Sequence, residues 1–285
     1  MLQWGDPMSC TPKHTSRRTR ALWAVGCCLS LFAAILLGAW LAGESGQVTS
    51  LTERMLPPSW PHLFGTDWLG RDMFARTLKG LRLSLFVGLT AAFCSSLIAA
   101  ALGLVAGVGG KAADTAVCWL VDVALATPHL VLLILISFAC GGGAKGVIIA
   151  VAASHWPALT RIIRAEVLQI RNSDYVRLSR RLGRGPLHIA LRHACPHLFP
   201  QFLVGLLLLF PHAILHAAGL TFLGFGLSPH TPAIGVLLAE SMRYLSAGMW
   251  WLAVSPGLAL VVTVLAFDML GQNARALLDP RTCRE

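Results

Sequence analysis

Histidines inside apolar stretches are the residues of this sequence best suited to chemistry. His212 and His216 are four residues apart in an apolar run, so on a helix both imidazoles project from one face. Neutral imidazoles on one face suit a transition-metal ion or its chelate, and we predict transient metal contacts at these two residues. His155, near the predicted cytoplasmic end of another apolar run, and His129 are candidates for the same substrate pathway. Interhelical hydrogen bonding is the alternative role for His212 and His216, and packing at the kink after Pro128 is the alternative role for His129.

The sequence lacks the motifs of several enzyme classes. It contains no G-x-x-x-x-G-K-[ST] phosphate loop, no H-E-x-x-H metal motif and no G-x-S-x-G nucleophile motif. Its eight cysteines have neither the spacing of zinc ligands nor that of a secreted disulfide framework, and we interpret them as small apolar fillers. We therefore expect no catalytic residue and no cofactor in this chain.

Composition indicates a membrane protein. Hydrophobic residues make up 55% and charged residues 13% of the 285 residues, whereas soluble domains carry about 25% charged residues. The mean hydropathy is +0.67. A helix needs roughly 20 mostly apolar residues to cross a bilayer. We therefore predict an all-α membrane protein with about six transmembrane helices, near residues 21–42, 83–108, 116–139, 147–163, 198–220 and 250–270.

The distribution of basic residues predicts the orientation. With the N-terminus inside, sixteen of the 23 Lys and Arg residues fall on the inner side, as expected for cytoplasmic segments. We expect a multi-pass protein of the cytoplasmic (inner) membrane with both termini cytoplasmic. The net charge of +10 has the same origin, and nothing in the basic segments indicates nucleic-acid binding. A basic cluster between residues 71 and 82 opposes the bias. It either forms an interfacial helix or pairs with Asp67 and Asp72.

The runs divide the chain into five parts. These are a cytoplasmic N-terminal segment (1–20), a first transmembrane helix (21–42), an external loop with a pre-helix segment (43–82), a five-helix core (83–272) and a cytoplasmic tail (273–285). The core includes an outer loop from 224 to 249 and a long basic stretch, 164–196. Within that stretch, Tyr175, Val176, Leu178, Leu182 and Leu187 predict one face of a short amphipathic helix that Gly183-Arg184-Gly185-Pro186 ends. Such a helix either lies on anionic headgroups or docks a cytoplasmic partner.

Several motifs follow one another in a fixed order along residues 60–282. They are Phe64-Gly-Thr-Asp-Trp-Leu-Gly-Arg-Asp72, Asp122 with Pro128, Gly183 followed thirteen residues later by Pro196, Phe222-Leu-Gly-Phe-Gly226 with Pro229, Pro232 and Gly235, Trp250-Trp251 with Pro256-Gly257, and Leu278-Asp-Pro-Arg281. Together they resemble the dipeptide/oligopeptide/nickel permeases of ABC importers. Gly183 and Pro196 are similar to the coupling loop of that family, although Arg177-Leu178-Ser179 stands where the family usually has Glu-Ala-Ala.

The resemblance implies half of a type I ABC importer with a cytoplasmic coupling helix. The implied partners are a second homologous permease subunit, two ATPase subunits that bind ATP and Mg²⁺, an external solute-binding protein and the lipid bilayer. The residues implied in coupling to the ATPase are Tyr175, Val176, Arg177, Leu178, Ser179, Gly183 and Pro196. Closure of the ATPase pair would switch the permease between inward-open and outward-open states.

The cargo is predicted from two further resemblances. His212-Ala-Ile-Leu-His216-Ala-Ala-Gly219 and Val147-Ile-Ile-Ala-Val-Ala-Ala-Ser-His155-Trp156 are more similar to nickel-import permeases than to peptide permeases. They favour nickel, or a nickel-type metal carried as a chelate. The alternatives are a dipeptide or oligopeptide importer, a membrane enzyme and a self-sufficient secondary transporter, the last of which often shows repeated halves.

Overall fold

The computed structural model describes residues 13–43 and 47–278, and almost all of this described chain is helical. The helices are α1 (Lys13–Leu41), α2 (Met73–Val108), α3 (Lys111–Ala126), α4 (His129–Ala139), α5 (Gly143–Arg171), α6 (Asp174–Arg181), α7 (Pro186–Ile189), α8 (Cys195–Phe222), α9 (Ile234–Leu245) and α10 (Trp251–Leu278). A π-helical turn (Ala190–Ala194) joins α7 to α8. Most of the predicted N-terminal segment, the end of the predicted tail and most of the 278–281 motif lie outside the described residues.

Several of the described helices are long and apolar enough to cross a bilayer. In the described chain, α1, α2, α5, α10 and the continuous run from Pro186 to Phe222 each qualify alone, whereas α3 and α4 qualify only as a pair. There are thus five candidate spans, or six if the pair is one span, which confirms the prediction of about six. Large apolar side chains such as Phe86, Leu135 and Leu265 are exposed, as expected of surfaces that face lipid.

The third predicted span is two helices rather than one. Thr127 has extended backbone between α3 and α4 (φ −81°, ψ 140°), because the ring of Pro128 disfavours a helical conformation at the preceding residue. Pro128 also has no N–H to continue the helical hydrogen bonds. The chain turns by 98° at this break, and His129 is the first residue of α4. The bend therefore places His129 at the corner between α3 and α4.

Small residues allow α2 and α5 to pack closely. Ala99, Gly103 and Gly107 recur every four residues along α2, which is the spacing of close helix contacts in membranes. A β-carbon at Gly103 would lie 2.7 Å from Ile163 Cγ2, and one at Gly107 would lie 2.3 Å from Val167 Cγ1. This contact fixes the position of α5, which carries His155 and leads into α6.

The segments predicted as outer loops contain helical structure. α2 begins at Met73, so the predicted boundary at residue 83 lies inside this helix. Asp72 caps α2, because its Oδ1 accepts a hydrogen bond from the Ala75 N–H at 2.8 Å. The predicted loop at 224–249 contains α9, which packs so tightly on α8 that a β-carbon at Gly235 would lie 2.4 Å from the Ala218 carbonyl oxygen. The sequence predicted a loop here because prolines precede α9.

Candidate functional site

A cavity of about 410 Å³ lies between α4, α5 and α8. Its lining combines four histidines and a glutamine with small and aliphatic residues: His129, His155, Gln201, His212, His216, Ala158, Leu159, Ile162, Gly205, Leu208 and Leu209. All four histidines that the sequence predicts for the substrate pathway therefore line one cavity. Ionisable residues within membrane spans mostly face an interior or a wet path, which makes this cavity the candidate substrate site.

Three of the four histidines contact one another. The ring centroids of His129, His155 and His216 lie 4.7, 4.7 and 4.9 Å apart, and one ring nitrogen from each residue lies within 4.8 Å of the other two. His212 is exposed and lies one turn before His216 on α8. The structure thus groups His216 with His129 and His155, and it leaves His212 on the wall of the same cavity.

Backbone carbonyl groups orient two of these rings. His155 Nδ1 lies 3.0 Å from the Val151 carbonyl oxygen, and His216 Nδ1 lies 2.8 Å from the His212 carbonyl oxygen. Because a carbonyl oxygen only accepts, each Nδ1 carries the proton and donates it. In a neutral ring, Nε2 is then the free lone pair. His155 Nε2 lies 3.3 Å from His216 Nδ1, so these two rings also contact each other directly.

The depth of His155 along its helix differs from the sequence prediction. α5 continues to Arg171, past the predicted span end at residue 163. His155 consequently lies near the middle of α5 rather than near the end that the sequence predicted to face the cytoplasm. This greater depth brings it level with His129 and His216, and it explains how histidines from three helices meet.

Gln201 is a cavity residue that the sequence analysis missed. It lies on α8 in a stripe with Gly205, Leu208, His212 and His216, all of which line the cavity. These residues recur every three or four positions, the period of one helix face. Extending the His212–His216 spacing backward along α8 would have found Gln201.

The predicted stretch 164–196 is mostly helical, and α6 is its predicted short helix. Gly183 follows α6 with a φ of +80°, a conformation that glycine adopts without strain. The Arg184 N–H donates to the Ser179 carbonyl oxygen at 3.2 Å across this turn, which closes the end of the helix. Pro186 then begins α7, and Pro196 is the second residue of α8.

α6 has one buried apolar residue and an exposed apolar face. Val176 is fully buried in a small cluster with Ile170 and Ile189. The other four residues of the predicted face are exposed: Tyr175, Leu178, Leu182 and Leu187. They line an open cavity of about 940 Å³ together with Ser179, Arg184, His188, Leu191, Arg192 and His193. An exposed apolar patch with a basic rim is typical of an interaction surface.

Two contacts join α6 to the beginning of the run that leads into α8. Ser179 Oγ lies 3.3 Å from His193 Nε2, and the ring of Tyr175 stacks on His197 with centroids 6.2 Å apart. Arg177 is exposed and lies 3.9 Å from the Asp174 carboxylate. α6 therefore follows the helix that carries His155 and contacts the helix that carries His216.

Asp67 lies in the segment before the first residue of α2, where it pairs with two arginine side chains. This carboxylate is 2% exposed. Its Oδ2 accepts hydrogen bonds from Arg71 Nε at 2.7 Å and from Arg76 Nη1 at 2.6 Å. Arg76 Nη2 also donates to Glu240 of α9 at 3.0 Å. The ion-pair explanation of the basic cluster is therefore confirmed for Asp67. Glu240 was missed because it lies far from Arg76 along the sequence.

Residues 99–284 match the family of binding-protein-dependent transport system inner membrane components. The chain belongs to this family. The matched region includes the four cavity histidines, α6, Gly183 and Pro196. The permease is thus a transmembrane subunit of an ABC importer, and membership implies ATPase partners and a binding protein.

Individual relatives align along most of the permease. It is 36% identical over 276 residues to a putative peptide transport system permease protein of Brucella suis biovar 1 (strain 1330), and this alignment covers 97% of this chain and 93% of that protein. It is 36% identical over 256 residues to the dipeptide transport system permease protein DppC of Bacillus subtilis (strain 168), and this alignment covers 90% of this chain and 80% of that protein.

The fold of the permease is that of a type I ABC importer. It matches a chain of the MetNI methionine ABC transporter in an inward-facing conformation with a TM-score of 0.60, over 73% of this chain and 98% of that chain. The two chains are 17% identical in sequence. At this identity the likeness concerns the fold alone.

Proposed function

We propose that the permease carries dipeptides or oligopeptides through the cytoplasmic membrane, driven by ATP hydrolysis on partner subunits. The observation that carries this proposal is the alignment with named peptide permeases, which extends over 97% of the chain for one relative and 90% for another. The motifs that favoured nickel cover only residues 147–156 and 212–219. We therefore rank peptide cargo above nickel.

The histidine cavity supports a peptide-sized cargo. Its volume of about 410 Å³ falls within the roughly 300–1,000 Å³ of small-molecule sites. The imidazole rings and the Gln201 amide can donate hydrogen bonds to peptide groups of the cargo and accept hydrogen bonds from them. Leu159 and Leu208 can contact apolar side chains of the cargo. Apart from the histidines, the lining has no ionisable side chain. This is appropriate for a conduit, because the cargo must bind weakly enough to leave.

The exposed face of α6 is proposed to dock an ATPase subunit that binds ATP and Mg²⁺. Leu178 and Leu182 would enter a groove of that subunit, with Tyr175 and Ser179 passing the motion to α8 through His193 and His197. Val176 anchors α6 to its own chain, and the turn at Gly183 sets the direction of the helix. Arg177 presents a positive charge where the family usually has a glutamate, so an acidic partner residue is expected opposite it.

The complete importer is proposed to contain a second homologous permease subunit, two ATPase subunits and an external solute-binding protein. Docking on α6 requires this end of the bundle to face the cytoplasm. The basic residues of the 164–196 stretch favour the same orientation. Both termini are accordingly proposed to be cytoplasmic.

Uptake assays in cells that lack this chain test the cargo. Cells with and without the restored chain are given a labelled dipeptide and, separately, radioactive nickel. We expect dipeptide uptake to depend on the chain while nickel uptake does not. A nickel defect with normal dipeptide uptake would overturn the peptide proposal and leave the importer architecture in place.

Nickel, or a nickel-type metal carried as a chelate, is the second candidate cargo. The contact among His129, His155 and His216 favours it, because imidazole is a common ligand of such ions. If metal is the cargo, replacing His212 and His216 together by alanine reduces metal uptake selectively. Unchanged metal uptake in that variant would return these residues to a packing role.

A further inference from the structure

The contact among three histidines from three different helices carries an inference of its own. We propose that His129, His155 and His216 form a binding site for a borderline divalent transition-metal ion, with its open coordination position facing the cavity. The site would take Zn²⁺, Ni²⁺ or Co²⁺ and hold it together with a donor group of the cargo. That a peptide supplies this donor group rests on the proposed function, whereas the metal site itself does not.

The hydrogen bonds of the cluster leave lone pairs for a metal. His155 and His216 both donate from Nδ1 to backbone carbonyl oxygens, at 3.0 and 2.8 Å. Metal-ligating histidines usually donate the other ring N–H in this way, which fixes the tautomer and the ring orientation. Ser154 Oγ lies 2.9 Å from His155 Nδ1 and gives this ring a second support. His216 Nε2 is therefore an available lone pair, and His155 Nε2 becomes available when a metal ion replaces its 3.3 Å contact with His216 Nδ1.

His129 provides an independent observation. Its Nε2 is buried and has no hydrogen-bond partner among residues 13–43 and 47–278. Buried polar atoms are normally paired, and an unpaired one calls for an explanation such as an ion. The ring of His129 is also 4.7 Å from each of the other two rings. A metal ion between the three rings would give this nitrogen a partner.

The distances are compatible with three ligands of one ion. One ring nitrogen from each of the three residues lies within 4.8 Å of the other two. Nitrogens at 2.0–2.1 Å from a tetrahedral ion are about 3.4 Å apart, so the rings must rotate to bring their Nε2 atoms around one ion. His129 begins α4 at a break in the chain, where its backbone is not confined to the middle of a long helix.

The donor set determines the class of ion. Three neutral imidazoles without a carboxylate suit Zn²⁺, Ni²⁺, Co²⁺ and Cu²⁺ rather than Ca²⁺ or Mg²⁺, which prefer oxygen ligands. Three protein ligands with one open position are typical of sites that exchange a ligand, whereas structural zinc sites have four. The open position faces about 410 Å³ of cavity, and a peptide offers its terminal amine as the fourth donor.

Cobalt binding tests the site directly. The full chain, isolated from the membrane in nanodiscs with the subunits that co-purify and with a tag that contains no histidine, is titrated with Co²⁺. We expect one Co²⁺ per chain, with the visible d–d absorption of a tetrahedral nitrogen site, and displacement by Zn²⁺. His155→Asn and His216→Asn are expected to weaken binding at least tenfold. His212→Asn, a matched control on the same cavity wall, is expected to change it less than threefold.

Each outcome decides the matter. Absence of the tetrahedral spectrum, or equal binding by the His155→Asn and His212→Asn variants, would overturn the metal site. His129→Ala provides a second variant if either asparagine variant fails to fold. Adding glycylglycine to the Co²⁺ form should shift the d–d bands, and an unchanged spectrum would overturn the open position. Co²⁺ binding without chain-dependent dipeptide uptake overturns only the peptide proposal, and the converse result overturns only the site.

Discussion

Replacement of Gly103 by alanine tests how closely α2 and α5 pack. The new β-carbon would lie 2.7 Å from Ile163 Cγ2, 2.9 Å from Ile163 Cβ and 3.2 Å from Arg164 N. The last two atoms are fixed to the backbone of α5, and a β-branched side chain has one strongly preferred rotamer in a helix. None of the three atoms can rotate away, so α5 itself must move.

The cost follows from these distances. The 2.7 Å contact falls 0.7 Å short of the 3.4 Å at which ordinary contact begins. Overpacking of this kind costs about 1–3 kcal/mol, and alanine regains about 0.5–1 kcal/mol over glycine in a helix interior, so we expect a net loss of up to about 2.5 kcal/mol. Gly219→Ala in α8 is the matched control, because its β-carbon would meet nothing within 4 Å.

Thermal unfolding in nanodiscs, followed by tryptophan fluorescence, measures the difference. We expect the Tm of Gly103→Ala to fall below that of the unmodified chain and the Tm of Gly219→Ala to stay level or rise. Peptide uptake should fall only for Gly103→Ala, because α5 carries His155 and leads into α6. A Gly103→Ala variant as stable as Gly219→Ala would refute the close packing of α2 and α5.

Three further changes have distinct expected outcomes. Asp67→Asn removes the charge that pairs with Arg71 and with Arg76, which is 4% exposed and keeps Glu240 as a partner; we expect a loss of about 1.5–3 kcal/mol, seen as a lower Tm and faster proteolysis of residues 47–72, and an unchanged Tm would contradict it. Val176→Asp places a carboxylate at a fully buried position; uptake should be lost while the chain still inserts in the membrane, and normal uptake would remove its anchoring role. Gly183→Val forces a side chain into a φ of +80° at a cost of about 1–2 kcal/mol. It should abolish uptake but leave ATP hydrolysis by the isolated assembly, whereas Gly185→Ala, with open space around it, should have normal uptake; equal uptake by both variants would reject the cap.

The helices of the bundle were predictable because a membrane-spanning segment is surrounded by lipid, which cannot hydrogen-bond to the backbone. A chain that crosses a bilayer must satisfy its own backbone hydrogen bonds, so each long apolar run becomes a helix. Local pattern was weaker where two signals competed. α9 is a 12-residue helix inside a segment marked by prolines, so the pattern predicted a loop. Pro128 was visible in the sequence, but the 98° bend at that position depends on how α4 packs against α5.

The sequence by itself determined that the chain is a membrane-spanning helical permease, and it singled out the four histidines, because ionisable residues are rare and costly in apolar runs. It also marked α6, Gly183 and Pro196 through their order along the chain. Only the tertiary structure decided that His129, His155 and His216 meet while His212 stands apart. That grouping arises from the bend before α4, the extension of α5 to Arg171 and the contact of both helices with α8. Such long-range packing has no counterpart in the local spacing of residues.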